Sequence, residues 1–166
     1  SSIIFVEWKA VDNEHYLEAY EILAEIGQKE IKINKEFGKS DGEFLYIHWV
    51  RVENAEKFPI LKKELLPGKI KFVPMKITQL HPDLYNLRDY FQFLEKQKVT
   101  HLILDKYGNA QWHHELSLNL LDIFNHENKY PFLIKEYDSK ENGFNYHLKL
   151  FKIDYDLYDE WINEEI

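Results

Sequence analysis

The chain has 166 residues, contains no cysteine, and carries 21 Lys and Arg against 29 Asp and Glu, a formal net charge of −8. Without cysteine, the chain has no disulfides, thiolate nucleophiles, zinc–thiolate sites or iron–sulfur ligands. So acidic a chain repels phosphate backbones and anionic lipid headgroups, and we expect no nucleic-acid partner. Its hydrophobic content of 45% is typical of a globular protein, and its length suits a single domain over residues 1–166.

The first half of the chain alternates predicted helices and strands. Asp12 is a candidate N-cap for a helix in which Tyr16, Leu23 and Ile26 recur at helical spacing, with Gly27 as a stop signal. Strands are predicted at 30–37, 44–52 and 69–77, and a short helix at 54–66. The second of these strands is apolar on both sides, which is typical of a central strand.

The second half repeats the alternation and then ends in a hairpin. Asp83 is the predicted N-cap of a helix with an apolar stripe formed by Leu84, Leu87, Phe91 and Leu94. Next come a predicted strand at 99–105, a turn at Gly108 and a helix at about 112–124. This helix is expected to bury Leu116, Leu120 and Ile123. A closing hairpin within 129–155, turning at Gly143, precedes a last short helix at 156–165. This order predicts an α/β (α+β) fold with a mixed sheet flanked by helices, parallel at first and antiparallel at the end.

Asp105 is the first candidate binding residue. It ends an apolar strand, and open α/β sheets bind their ligands beyond the carboxyl ends of the strands. Acidic residues are also common at strand ends as turn and capping residues. Both interpretations stay open from the sequence.

His113 and His114 are the next candidates, because they stand together at the start of a predicted helix. Zinc-binding helices place their ligands at i and i+4, so that both side chains share one face. Adjacent histidines diverge by about 100° and do not point at one ion from a regular helix. The pattern favours polar residues of a solvated first turn, and we predict no metal site and no cofactor.

Tyr107 and Trp112 flank a Gly-Asn turn and are candidate carbohydrate contacts, since aromatic rings stack on the apolar faces of sugars. Trp49, Tyr130 and Tyr137 could stack on sugars as well, but aromatic residues at alternating strand positions are more often core, and we expect Trp49 to be buried. The nucleophile elbow, the phosphate-binding P-loop and the dinucleotide-binding glycine motif are all absent. We therefore predict no catalytic residue in this chain.

Three blocks of sequence carry a resemblance to a known family. They read DNEHYLEAYEILAEI from Asp12, THLILDKYGN from Thr100 and NHENKYPFLIKEYDSKENGFNYHLKLFKIDY from Asn125. In order and character they resemble the C-terminal soluble domain of archaeal polytopic membrane glycosyltransferases (GT-C type), relatives of the dolichyl-phosphate-mannose protein mannosyltransferases. The resemblance covers residues 12–155 and is strongest from Thr100 onward.

The resemblance implies an accessory role for this domain. In such enzymes the catalytic acids lie in a loop of the membrane portion, so no family catalytic residue carries over to this chain. The implied partners are the membrane portion of the parent protein and a glycan or protein acceptor. The implied location is the extracytoplasmic face of the membrane. Since the chain begins at Ser1 without methionine, we expect it to be a piece of a longer protein.

Two alternatives remain open at this stage. One is a stand-alone enzyme that uses Asp105 with the His113 and His114 region as a metal or acid–base site. The other is a carbohydrate- or protein-binding module with no tie to a transferase. No apolar run approaches the roughly 20 residues of a membrane-spanning helix.

Overall fold

A computed structural model describes residues 2–7, 18, 21–23, 25–26, 44–50, 70–76, 84–106 and 114–165. The strands of this part are β1 (Ser2–Glu7), β2 (Phe44–Val50), β3 (Ile70–Lys76), β4 (His101–Asp105), β5 (Leu133–Asp138) and β6 (Leu148–Ile153). Its helices are α1 (Leu87–Lys96), α2 (His114–Asn125) and α3 (Tyr155–Glu165). Further helical residues are found at 18, 21–23 and 25–26. Within the described part, no helix combines the length and the apolar character needed to cross a bilayer.

The described strands form one six-stranded sheet in the order β3-β2-β1-β4-β6-β5. The neighbours β3 and β2, β2 and β1, and β1 and β4 are all parallel. The two remaining pairs, β4 with β6 and β6 with β5, are antiparallel. The predicted fold class is therefore confirmed: a mixed sheet with helices, parallel in its first part and closed by a hairpin and a C-terminal helix.

Most predicted elements that fall on described residues are found close to their expected bounds. The strand predicted at 44–52 is β2, which lies inside the sheet between β1 and β3. The N-cap predicted at Asp83 is wrong. Helix α1 is capped by Asn86, whose backbone is extended and whose side chain accepts a hydrogen bond from the N–H of Asp89 at 3.0 Å. The predicted strand at 30–37, the helix at 54–66 and the turn at Gly108 lie outside the described residues.

One face of the sheet, here called the core face, is covered by α1, α2 and α3. Alternation along the strands turns Phe5, Leu102 and Phe151 to this side, where they share one apolar cluster with the three helices. The helix stripes predicted from the sequence are confirmed as buried: Leu84, Leu87, Phe91, Leu94, Leu116, Leu120 and Ile123. The centre of this core is aromatic, with Phe91 and Phe132 in edge-to-face contact at 5.1 Å between ring centroids.

The opposite face, here called the tyrosine face, carries a different set of side chains. Ile4, Ile103 and Leu150 are buried on it, and so are Tyr137 and Tyr146. The helical residues that follow β1 contribute Ile22, Leu23 and Ile26 to the buried set. A helix with one apolar side packs on this face, as the spacing of Leu23 and Ile26 predicts.

The closing hairpin contains two local irregularities, a β-bulge in β5 and a tight turn after it. The pairing of β5 with β6 shifts between Lys135 and Tyr137, so Glu136 is the extra residue of a bulge. After β5 a short 3-10 helix at Lys140–Asn142 ends at Gly143, whose φ of 87° is left-handed and favours glycine. These features bring the residues after β5 back toward the end of β4.

Candidate functional site

The candidate site lies at the carboxyl edge of the parallel strands. The chain builds β1, β2 and β3 outward in one direction and then returns to place β4 on the other side of β1. Ligands of open α/β sheets bind at such a reversal point, outside the carboxyl ends of the strands. Here the two strands end at Glu7 and Asp105, and Glu7 is paired with Leu104. The structure thus places Asp105 at the reversal point.

Asp105 is nevertheless built into the interior. Every residue of β4 is buried, and Asp105 itself is only 1% exposed. Its carboxylate accepts a hydrogen bond from the hydroxyl of Tyr146 at 2.5 Å. A buried carboxylate is costly unless it is hydrogen-bonded, so the contact with Tyr146 is a structural requirement of this strand end.

Tyr146 is held at its polar groups by three different parts of the chain. Its backbone N–H donates to the carboxylate of Glu18 at 2.7 Å, its carbonyl accepts from the Ser139 hydroxyl at 2.5 Å, and its own hydroxyl donates to Asp105. The Ser139 oxygen also accepts from the N–H of Leu148 at 2.7 Å. Glu18, Asp105, Ser139 and Tyr146 form what we call the Tyr146 cluster, which joins the helical residues that follow β1 to β4 and to the hairpin.

A second tyrosine contact fastens the same helix to the hairpin. The hydroxyl of Tyr137 donates to Glu25 at 2.5 Å, and Glu18 also accepts the backbone N–H of Asn145. Burial, followed by the hydrogen bond to Glu25 and its negative charge, raises the pKa of Tyr137 above its ordinary value. The hydroxyl therefore stays protonated and remains a donor. Two carboxylates of one helix thus bind the hairpin on the tyrosine face.

The core face has a charged group of its own beside the hairpin. Lys149 is buried and donates from Nζ to the carbonyl of Phe124 at 2.6 Å, near the end of α2, with Nζ lying 4.5 Å from the Phe124 ring centroid. A cation at a helix C-terminus satisfies a free carbonyl and complements the helix dipole. This geometry makes Lys149 a cap for α2.

The charges around Lys149 are paired with one another. Glu127 accepts from Lys135 at 3.1 Å, and this hydrogen bond raises the pKa of Lys135. His147 Nε2 lies 2.9 Å from Asp138 Oδ1, although the two are not aligned as a hydrogen bond. Burial pushes the pKa of Asp138 upward, but His147, the N–H of Lys140 and Lys135 outweigh it and lower that pKa. The group is a network of ion pairs that ties the hairpin to Glu127, in the short 3-10 helix Glu127–Lys129 after α2.

Two of the predicted site residues, Asp105 and His114, fall on the described part of the chain. Asp105 lies in the Tyr146 cluster, and His114 is the first residue of α2 and exposed to solvent. The site role of His114 and the interpretation of a solvated first turn both stay predictions. Tyr107, Trp112 and His113 lie outside the described residues. Among the residues that are described, no group of three or more His, Asp, Glu or Cys is arranged to hold a metal ion.

Comparison of the chain with family models, curated proteins and solved structures finds no match in any of the three.

Sequence reasoning missed Glu18, Ser139 and Tyr146, although one of them left a signal. Tyr146 stands at an alternate position to Leu148 and Leu150, and Leu148 pairs with Asp105. Strand periodicity therefore places Tyr146 on the same side as Asp105. Ser139 and Glu18 left no such signal, because their contacts are made by a turn and by a helix distant in sequence. Tyr130 and Tyr137, which the sequence offered as possible sugar contacts, are buried.

Proposed function

We propose that this chain is a non-catalytic accessory domain of a membrane glycosyltransferase that uses a lipid-phosphate-linked sugar donor. In this role it is tethered at the extracytoplasmic face and positions the acceptor or the glycan for the membrane portion. The observation that carries the proposal is that Asp105 is buried and hydrogen-bonded within the fold. The acid best placed to react is 1% exposed and already bound by Tyr146 inside the fold.

The residues behind the resemblance also support a scaffold. The strand that contains Asp105 is buried along its whole length, and the closing block supplies Phe132, Phe151 and Tyr146 to the two faces of the sheet. Side chains used for packing and for internal hydrogen bonds are not available to a substrate. A domain whose side chains are used in this way is a rigid scaffold. That fits an accessory role beside a separate catalytic portion.

The most direct test of the proposal is the sequence upstream of Ser1. The parent gene is expected to encode about a dozen apolar segments of roughly 20 residues each before this domain. An open reading frame that begins near Ser1 and encodes no such segments would contradict the proposal.

The role of Asp105 is tested in the full-length parent protein. Asp105→Asn is expected to lower glycosyl transfer only as far as it lowers the amount of folded protein, because Asp105 acts through packing. Ile134→Ala, at a side chain that is 47% exposed in β5, is the matched control. A well-folded Asp105→Asn protein that has lost about a thousandfold or more of its activity would instead assign Asp105 to the reaction.

A stand-alone enzyme is the second candidate, and the position of Asp105 at the reversal point of the sheet is the observation in its favour. This alternative uses the region of His113 and His114 as a metal or acid–base site. It requires stoichiometric metal by elemental analysis and a melting temperature that rises on addition of Zn²⁺ or Mn²⁺. A metal-free protein whose melting temperature does not respond to either ion would count against it.

A further inference from the structure

We propose that Asn142, which Gly143 follows, is a site of spontaneous covalent modification, and that loss of its side-chain amide loosens the turn between β5 and β6. The reaction needs only the chain itself and water. This inference does not rest on the proposed function, so the failure of one leaves the other standing.

The turn is built as the end of a short helix. The N–H of Gly143 donates to the carbonyl of Lys140 at 3.3 Å, and Gly143 itself is left-handed. The N–H of Phe144 donates to the carbonyl of Ser139 at 3.1 Å. These two bonds around a left-handed glycine are the Schellman motif that ends many helices. Asn142 is thus the last residue of its 3-10 helix and stands directly before the glycine.

Both residues of the site face solvent. Asn142 and Gly143 are exposed, and apart from chain neighbours no atom of the described part lies within 4 Å of where a Cβ on Gly143 would be. The backbone nitrogen after Asn142 is therefore not shielded by a side chain, which favours its attack on the Asn142 amide. Its hydrogen bond to Lys140 is, at 3.3 Å, the longest of the three backbone bonds in the turn. Local opening of an exposed turn costs little free energy.

The reaction is a ring closure within the chain. The N–H of Gly143 loses its proton to a base in solution, and the nitrogen attacks Cγ of Asn142. The bond between this nitrogen and Cγ forms while the bond from Cγ to Nδ2 breaks, and Nδ2 takes up a proton from solvent and leaves as ammonia. Water then opens the resulting succinimide at one of its two carbonyls. The product is aspartate or, when the chain continues through the side-chain carbonyl, isoaspartate.

Either product weakens the turn and the cluster that adjoins it. The Asn142 side chain donates from Nδ2 to the carbonyl of Asp138 at 2.9 Å, and a carboxylate has no N–H for this bond. Isoaspartate also adds one backbone atom and changes the spacing on which the Schellman bonds depend. The Ser139 carbonyl accepts the bond from Phe144, while the Ser139 hydroxyl binds the carbonyl of Tyr146. The turn and the Tyr146 cluster therefore share Ser139.

The test is peptide mapping by mass spectrometry after the whole folded chain has been kept in mildly alkaline buffer. Asn128 is the internal control, because it is also exposed and lies in a three-residue 3-10 helix, but Lys129 follows it. Asn142 is expected to convert at least about tenfold faster than Asn128. The rate should rise with pH, because the attacking nitrogen must lose a proton. No conversion at Asn142, or conversion no faster than at Asn128, overturns the inference.

A variant of the glycine separates the ring closure from exposure alone. Gly143→Asn is expected to slow the conversion of Asn142 by about tenfold. Asparagine tolerates the left-handed conformation, but its Cβ crowds the attacking nitrogen. An unchanged rate in this variant, at an unchanged melting temperature, would show that Gly143 does not govern the reaction and would overturn the inference.

Hydrogen exchange then tests the effect on the cluster. Asn142→Asp reproduces one product and is expected to speed exchange of the Leu148 amide, which the Ser139 hydroxyl accepts, by about fivefold, as for the loss of one hydrogen bond. Asn128→Asp adds the same charge outside the turn and is expected to leave this amide unchanged. Equal exchange of the Leu148 amide in the two variants would overturn the loosening of the turn.

Discussion

The two faces of the sheet are stabilised in different ways. On the core face, Phe91, Phe132 and Tyr158 pack ring against ring, with centroids 5.0 to 5.1 Å apart. On the tyrosine face, the Tyr146 cluster is joined by hydrogen bonds of 2.5 to 2.7 Å among side chains and backbone groups. The free energy gained by apolar packing is roughly proportional to the apolar area buried, and it does not depend on one particular partner. Each buried polar group, by contrast, needs its own hydrogen-bond partner in the right geometry.

This difference bears on where a function can reside. The core face packs the helices against the sheet, so a substitution in it is expected to lower the stability of the whole fold. The Tyr146 cluster lies at the carboxyl edge and joins β4 to the hairpin and to the helix after β1. The two faces are therefore expected to respond differently to single substitutions.

The largest expected effect is on the core face. Phe132→Ala removes a side chain that is 0% exposed and contacts Phe91, Tyr158 and Trp161. We expect a loss of about 3–5 kcal/mol in the free energy of unfolding, measured by urea denaturation. The adjacent control Ile134→Ala, on an exposed side chain, is expected to change it by less than about 0.5 kcal/mol. A loss below about 1 kcal/mol for Phe132→Ala would mean that this face is not the main core.

Ser139→Ala is the strongest test of the Tyr146 cluster. The Ser139 hydroxyl donates to the carbonyl of Tyr146 and accepts from the N–H of Leu148, so its removal takes a partner from two buried backbone groups. We expect a loss of about 2–4 kcal/mol in unfolding free energy, since each buried group left unsatisfied costs about 1–3 kcal/mol. Hydrogen exchange should also show faster opening of the Leu148 amide. An unfolding free energy that Ser139→Ala leaves unchanged would show that other contacts hold the turn between β5 and β6.

A pair of Tyr→Phe substitutions compares the two faces directly. Tyr146→Phe removes the donor to buried Asp105 and is expected to cost about 1–3 kcal/mol, because a buried acceptor loses this partner. Tyr158→Phe is the matched variant, because the buried Tyr158 hydroxyl has no hydrogen-bond partner within the described residues. Its removal is expected to be neutral or slightly stabilising. Burial raises the pKa of Tyr158 to about 12, so its hydroxyl is neutral at pH 7.

A double-mutant cycle shows whether the cost belongs to the Tyr146–Asp105 contact. The combined variant Tyr146→Phe with Asp105→Asn is expected to lose less than the sum of the two single losses, because both changes remove the same contact. Strict additivity would mean that the two residues stabilise the fold independently.

The sequence predicts the core face far better than the tyrosine face. The periodicity of Leu87, Phe91 and Leu94 was enough to identify a helix and its buried side, because apolar burial needs only a repeating pattern. The strand ending at Asp105 was also predictable. Glu18 and Tyr146 are 128 residues apart in the sequence, and no local pattern indicates which carboxylate meets which donor. The position of Asp105 at a strand end was therefore predictable from the sequence, while its hydrogen-bond partner appears only in the fold.

The smallest expected effect concerns a polar pair on the tyrosine face that lies away from the cluster. Glu136, at the bulge of β5, has its carboxylate 2.9 Å from Nε2 of the buried His101, and this hydrogen bond lowers the pKa of Glu136 from its usual 4.5. Lys152 acts in the same direction. A lowered carboxylate pKa contributes stability that is present above about pH 4.5 and is lost as the pH falls through the folded-state value.

The pH dependence is measured as the difference in unfolding free energy between the unmodified chain and Glu136→Gln. That difference is expected to be largest at pH 7 and to narrow toward pH 3. The effect is small, because the Glu136 side chain is 34% exposed and water screens the interaction. The pKa values of Asp122 and Asp138 are also lowered, so both proteins lose stability in acid, and only the difference isolates Glu136. A difference that stays constant with pH would show that the His101 contact does not depend on the charge of Glu136, and that this pair behaves like the packed core face.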